Sequence, residues 1–236
     1  KEQDMQLSLR LSAIAEMVTE GNRLVDVGCD HGYLPVYLIL EKKIPRAIAA
    51  DVGKGPLSRA REHIHQYGLD NYIETRLSDG LKEIGKEEGD TLVIAGMGGP
   101  LMEKILTEGE ETRKGFRELI LQPQSDIPHV RKFLFENGYH IVNEEMVLEE
   151  GKFYPLMKAV PGKADREWTE EELEFGKFLL EKCHSVLRQY LERELRIRKE
   201  ILERLKDAPG ASAGQRRQEV VEEKRKILTA LKRYEG

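Results

Sequence analysis

Two carboxylates, Asp26 and Asp30, and two glycines, Gly28 and Gly32, lie together in the run Arg23-Leu24-Val25-Asp26-Val27-Gly28-Cys29-Asp30-His31-Gly32-Tyr33-Leu34-Pro35. Leu24, Val25 and Val27 are strand formers, the glycines tolerate positive φ and close approach of a ligand, and Tyr33 to Leu40 is apolar enough to pack a helix on a sheet. A strand, a glycine loop and a helix start in that order suit a nucleotide-like ligand. Charge narrows the choice. A dinucleotide would bring an anionic pyrophosphate against Asp26 and Asp30, whereas S-adenosylmethionine brings an ammonium and a sulfonium that the same carboxylates attract. The loop therefore favours S-adenosylmethionine over a nicotinamide cofactor, with a structural turn that binds nothing as the bland alternative.

The elements that would position this loop can be read in order. Leu7, Leu9, Leu11, Ile14, Ala15 and Val18 give an amphipathic helix with Ser8 as its cap, ahead of the first strand. Ala47-Ile48-Ala49-Ala50 reads as a second parallel strand, closed by Asp51 where a carboxylate can hold ribose hydroxyls. Pro56 opens a helix that runs to Tyr67 and stops at Gly68. Tyr72 to Arg76 is a third strand, followed by Ser78-Asp79-Gly80, a polar turn that offers acceptors to an adenine amino group. Thr91 to Ala95 is a continuous apolar strand of the buried parallel kind, ending in Gly96-Met97-Gly98-Gly99-Pro100. Leu119 to Leu121 is a fifth strand ending in Gln122-Pro123-Gln124, and Ile127 to Glu136 is a helix. His140 to Leu148 and Phe153 to Val160 form a terminal antiparallel pair. This alternation predicts an α/β sandwich with a mainly parallel sheet.

From Trp168 the pattern turns helical. Leu180, Cys183, Leu187, Tyr190, Ile197, Ile201 and Leu205 form one apolar seam, Asp207 to Gly214 breaks it, and Val220, Ile227, Leu231 and Tyr234 line a second helix. The two are expected to fold back as an antiparallel hairpin, with Glu170-Glu171-Glu172 at the favourable end of the helix dipole. Charge follows the same division: residues 1–162 hold 20 basic and 27 acidic residues and residues 163–236 hold 18 and 16, within a chain of 236 residues and net charge −5. A catalytic domain over 1–162 and a helical domain over 163–236 are therefore expected. Two cysteines, Cys29 and Cys183, give neither a disulfide framework nor a metal-ligand spacing, which points to a cytoplasmic setting. The histidines are not spaced as a metal site, no apolar run is long enough to span a bilayer, and the N-terminal stretch has no secretion-signal core.

With Asp26-Val27-Gly28-Cys29-Asp30-His31-Gly32-Tyr33-Leu34-Pro35, Asp51, Ser78-Asp79-Gly80, Ala95-Gly96-Met97-Gly98-Gly99 and Leu121-Gln122-Pro123-Gln124 in that order, the sequence resembles the bacterial tRNA adenine-22 N1-methyltransferases, TrmK. The resemblance covers about Leu7 to Val160, and the charged hairpin behind it matches the family's coiled-coil domain in kind. It implies a class I methyltransferase fold, Rossmann-like with a seven-stranded sheet, S-adenosylmethionine as methyl donor and tRNA as partner; the sequence does not fix the oligomeric state, and a monomer is the expectation. It also implies that Asp26, Gly28 and Asp30, with Cys29, meet the methionine end of the donor. Asp51 and Val52 would meet the ribose side, Ser78, Asp79 and Gly80 the adenine edge, and Ala95, Gly96, Met97 and Gly98 the transfer site.

On the acceptor side, Asp30, His31 and Tyr33 are the candidates for holding the base and stabilising charge. For His31 the alternative is a helix-start residue bonded to backbone; for Tyr33 it is packing on the sheet. Methylation of an exocyclic amine usually calls for an acidic or amide residue followed by two prolines and an aromatic. Ala95 to Gly99 has none of these and offers backbone donors and room, suiting a base pushed edge-first, or else forms a tight turn with one core Met. Gly99, Gln122 and Gln124 are expected to meet the substrate, although the glutamines could equally be polar residues at a strand end. Arg193, Arg196 and Lys199 are expected to meet the tRNA backbone, against the alternative of a solvated ion-pair face. A small-molecule methyltransferase with a dimerising tail, and an RNA-binding module without catalysis, stay open.

Overall fold

The computed structural model describes residues 5–236. The chain divides into two compact units, the first ending at Ala164 and the second spanning Asp165–Gly236.

The first unit opens with helix α1 (Leu9–Met17), capped by Ser8, whose hydroxyl accepts from the Leu11 N–H. Strands β1 (Leu24–Val27), β2 (Ala47–Asp51), β3 (Ile73–Leu77), β4 (Thr91–Met97) and β5 (Glu118–Pro123) follow, with helices α2 (Tyr33–Leu40), α3 (Lys54–Gln66), α4 (Gly99–Glu108) and α5 (Glu110–Arg113) between them. Helix α6 (Ile127–Glu136) leads into the hairpin of β6 (Tyr139–Glu149) and β7 (Lys152–Pro161). The seven strands lie in the order β3-β2-β1-β4-β5-β7-β6, parallel from β3 to β5 and antiparallel at β7 and β6. This is the Rossmann-like, seven-stranded sheet that the resemblance implies. Its strand order reverses between β1 and β4, and sheets of this kind bind ligands in the crevice outside the carboxyl ends of the strands at such a switch point.

Leu24, Val25, Val27, Leu92, Val93, Ile94, Leu119, Ile120 and Leu121 are buried between the helical layers, as continuous apolar strands require. Two boundaries differ from expectation. Strand β4 runs on through Gly96, which takes φ 75° at a register shift between Ala95 and Met97, so the bulge carries the strand into the glycine stretch. Strand β5 likewise runs through Gln122 to Pro123. Helix α4 had no distinct sequence signal, because its start is written in glycines and Pro100, residues that also spell a loop; a proline in the first helical turn is nonetheless compatible with a helix.

The second unit contains α7 (Glu170–Phe175), α8 (Lys177–Glu181), α9 (Ser185–Leu205) and α10 (Ala211–Leu231). Where one helix was expected from Trp168 onward, the chain breaks at Gly176 (φ 97°) and Cys183 (φ 47°). Cys183 is exposed at that second turn and does not belong to the apolar seam. Thr169 and Glu172 form a reciprocal capping box that starts α7, and Arg166 holds Glu172 through two bonds of 2.7 Å. Leu187 and Leu191 of α9 face Val220, Ile227 and Ala230 of α10 in an antiparallel hairpin, with Arg198 reaching across to Glu223 at 2.9 Å. Ala211 to Gly214, expected in the linker, already belong to α10.

Candidate active site

The loop after β1 is built on left-handed backbone. Gly28, Asp30 and Gly32 take φ 78°, 50° and 69°. A β-carbon at Gly28 would stand 2.5 Å from Met97 Cε, so only glycine fits under the end of β4. The Ala50 carbonyl of β2 accepts from both the Gly28 and Cys29 N–H groups, at 2.9 and 3.0 Å.

Asp26 lies near the carboxyl end of β1, just before the loop. It is 6% exposed, and no side-chain hydrogen bond or ion pair reaches its carboxylate among the described residues. Burial first, and then the neighbouring Asp51 carboxylate, push its carboxyl up to about 7, while the Arg10 guanidinium partly offsets them. A buried carboxylate left this way lacks a cation or donor, and an ammonium group supplies both. Asp51 is partly exposed; its Oδ1 accepts from Gly53 N–H at 2.9 Å and its Oδ2 faces Asp30 N–H at 3.4 Å. Val52 beside it is 70% exposed, an apolar side chain at the rim. Cys29 is buried, and burial followed by the three nearby carboxylates drives its thiol far above the ordinary range. Both influences disfavour the thiolate, the form a nucleophilic cysteine needs.

Asp30 points outward, with Arg59 Nη2 at 3.7 Å and His31 Nε2 at 3.8 Å. His31 stacks on Tyr33 at 5.3 Å between centroids, Tyr33 meets His63 edge-on at 4.7 Å, and His63 meets Tyr67 at 5.2 Å. Tyr33 is exposed, so its ring is part of a surface strip of aromatic rings beside Asp30. The ring engaged with backbone here is His63, whose Nδ1 lies 3.1 Å from the His31 carbonyl, and burial lowers its pKa.

Two of the expected contact residues, Ser78 and Gln122, have side chains engaged within the fold. Ser78 is 3% exposed; its hydroxyl donates to the Gly80 carbonyl at 2.8 Å and accepts from Glu83 N–H, so it holds its own turn. Asp79 stays exposed, paired with Lys82, which holds its carboxyl below the usual range. Gly80 takes φ 62° against Ile105. Gly99 is buried as the first residue of α4, and a β-carbon there would lie 2.5 Å from the Ser125 carbonyl, so packing alone requires glycine at this position. Gln122 is 1% exposed and fully engaged: its Oε1 accepts from Gly96 N–H and Arg10 Nη1, each at 3.1 Å, and its Nε2 donates to the Pro123 carbonyl. Gln124 alone of the pair is exposed at the mouth. Ala95, Gly96, Met97 and Gly98 are all half-buried, open on the crevice side of β4.

Arg10, Arg59, His63 and Tyr154 had no sequence signal of their own. Each stands on a helix or strand remote in sequence from the loop, and their assembly depends on the sheet order. In the helical unit, Arg193 pairs with Glu194 at 3.1 Å, whereas Arg196 and Lys199, one helical turn apart, are exposed and have no ion pair among the described residues. Arg188, Arg198, Arg216 and Arg225 are all paired with glutamates, so the ion-pair reading holds for most of that surface. Among the described residues no cluster of His, Cys, Asp and Glu could hold a metal ion, and no helix is long and apolar enough to cross a membrane.

The sequence matches the family described as Methyltransferase domain over residues 7–157. A Bacillus subtilis (strain 168) protein named tRNA (adenine(22)-N(1))-methyltransferase is 34% identical over 209 residues, which cover 87% of this chain and 88% of the relative. The crystal structure of the B. subtilis M1A22 tRNA methyltransferase TrmK superposes with a TM-score of 0.86 at 30% identity, over 97% of this chain and 100% of that one. M. capricolum TrmK, solved with S-adenosyl-homocysteine, gives 0.85 at 26% identity, over 97% and 99%. Fold, acid-lined loop and these likenesses define an S-adenosylmethionine-dependent methyltransferase. The chain belongs to the tRNA (adenine(22)-N1)-methyltransferase family, TrmK.

Proposed function

We propose that this protein transfers the methyl group of S-adenosylmethionine to N1 of adenine 22 in tRNA, with the donor's ammonium on Asp26. The observation that carries the reading is the buried, unpartnered Asp26 carboxylate at the switch point of the sheet. Gly28 lets the backbone pass close beneath the donor, Asp51 faces the ribose, Val52 and the Asp79 turn border the adenine, and Ala95 to Gly98 line the side from which the acceptor arrives. When bound, S-adenosylmethionine supplies an electrophilic methyl group on a sulfonium.

The residues on the other side have to bring a nitrogen lone pair in line with that methyl group, and a near-attack geometry is worth about 7–11 kcal/mol. Adenine N1 already has its lone pair, so the displacement needs no strong general base. Positive charge moves onto the base as it is methylated. Asp30 is exposed beside the expected position of that base and stabilises the charge, and the faces of Tyr33 and His31 offer a stacking surface to a base taken out of its pair. Arg196 and Lys199 grip the tRNA backbone through charge.

The test is to incubate unmodified tRNA and S-adenosylmethionine with the protein and map methylated bases by mass spectrometry. 1-Methyladenosine at position 22 is the expected product; its absence with folded, donor-binding protein would overturn the reading.

A further inference from the structure

The turn from Asp30 to Tyr33 leans on one side of helix α3. A β-carbon at Gly32 would stand 3.3 Å from the Ala60 β-carbon, and His63 Nδ1 lies 3.1 Å from the His31 carbonyl oxygen. Ala60, His63 and Tyr67 follow one another at steps of three and four and so share a face of the helix. The His31 carbonyl needs that support. It sits between two left-handed residues, Asp30 at φ 50° and Gly32 at φ 69°, and the residue four places on, where α2 would supply an N–H, is Pro35, which has none. No backbone N–H reaches this oxygen among the described residues, and His63 supplies the missing donor.

A carbonyl oxygen can only accept, so the proton of this bond is on His63 Nδ1. Burial lowers the His63 pKa by more than the bond raises it, which leaves the ring neutral at physiological pH with Nε2 bare. The same ring also steadies the aromatic pair above it. His31 and Tyr33 stack 19° from parallel, so each turns one face to the other, and His63 meets Tyr33 at 74° with centroids 4.7 Å apart. Tyr67 in turn meets His63 at 89°, which fixes the His63 ring from its far side. One half-buried imidazole thus holds the main chain of His31 and the ring of Tyr33 together.

We propose that His63 is a positioning residue for methyl transfer: its Nδ1–H bond to the His31 carbonyl sets the tilt of the His31–Tyr33 ring pair on which the acceptor base rests. This rests on the acceptor role given to that pair above. His63 acts through the main chain of His31 and carries no proton to or from the base. An in-line displacement is sensitive to small misplacements, about a hundredfold in rate for about 1 Å, so the bond is felt in the transfer step more than in the binding of either substrate.

Two measurements test it. The ring ¹⁵N signals of His63, assigned by their loss in His63→Asn, should show a proton on Nδ1 and none on Nε2 in the neutral protein; the opposite tautomer would overturn the proposal without reference to turnover. In single-turnover methylation of unmodified tRNA, His63→Ala should slow transfer by about 10–100-fold, with the affinities for S-adenosylmethionine and tRNA within about threefold of wild type. His63→Asn puts an amide nitrogen close to where Nδ1 stands and should recover the rate to within about threefold of wild type, whereas His63→Phe keeps a ring without the donor and should stay as slow as His63→Ala. Recovery by Phe but not by Asn would overturn the proposal, because ring packing alone would then account for the effect. So would an unchanged rate in His63→Ala, or a donor affinity that falls in step with the rate, which marks a purely structural support of the loop. Wild-type protein that binds S-adenosylmethionine yet methylates no tRNA would instead break the proposed function on which this role depends.

Discussion

The two ends of the same sheet treat a buried carboxylate in opposite ways. At the amino end, Glu118 is 4% exposed and saturated: it accepts from the Thr19 N–H and hydroxyl, the Thr91 hydroxyl and the Asn22 amide, and pairs with Lys158 at 2.8 Å. Burial alone would raise its pKa, yet these partners together hold it below the usual range. At the carboxyl end, Asp26 is comparably buried and has no such shell, and its carboxyl rises to about 7. A charge that serves the scaffold is satisfied within the scaffold; one left without partners is kept for something that arrives from outside.

The comparison can be broken at either end. Lys158→Met leaves Glu118 buried without its cation and should cost about 3 kcal/mol in denaturant unfolding, with donor affinity unchanged. Asp26→Asn should do the reverse, weakening S-adenosylmethionine binding by about 30–100-fold in calorimetry while the melting temperature holds or rises, because a charge that nothing in the fold compensates has been removed.

The pH dependence follows from the direction of the Asp26 shift. Its folded value is raised above that of the unfolded chain, so the ligand-free fold loses stability from this group as pH rises from about 4 towards 7. Donor binding needs the ionised carboxylate. Affinity should therefore strengthen by up to about tenfold per unit as pH rises towards 7, level off, and fall above about 8 as the donor's own α-amino group loses its proton. In Asp26→Asn the rising limb should be absent. The smallest effect belongs to the helical unit: Arg196→Glu with Lys199→Glu should raise the KM for tRNA about three- to tenfold at low salt, and the difference should shrink as salt is added, with donor affinity unmoved. A KM that does not change would return those two residues to a solvated face.

What could be read in the sequence was what is decided within a few residues. The turn after β1 needs Gly28 and Gly32 for its own backbone, and Asp26 and Asp30 lie inside it, so spacing and charge together pointed to the ligand. The sheet was legible for the same reason, strand by strand. Gln122 was not: the groups that use up its amide lie 26 and 112 residues away, and only folding brings them together. The packing demand at Gly99 was hidden similarly, because its neighbour Ser125 comes from the next strand–helix connection. In the helical unit the apolar spacing runs in step from Leu180 to Leu187, straight across the turn at Cys183, so periodicity concealed the break. Arg10 was hidden in an amphipathic helix whose charged side looked like any other.

One carbonyl, that of Ala50, accepts from two successive amides of the loop, and this pins the base of the crevice to the middle of the sheet. The cradle stands ready before anything occupies it, and loading it requires no hinge at its foot. The foot of the loop is thus set by main chain alone, and substitutions along its rim at Val52 or Asp79 leave that footing in place.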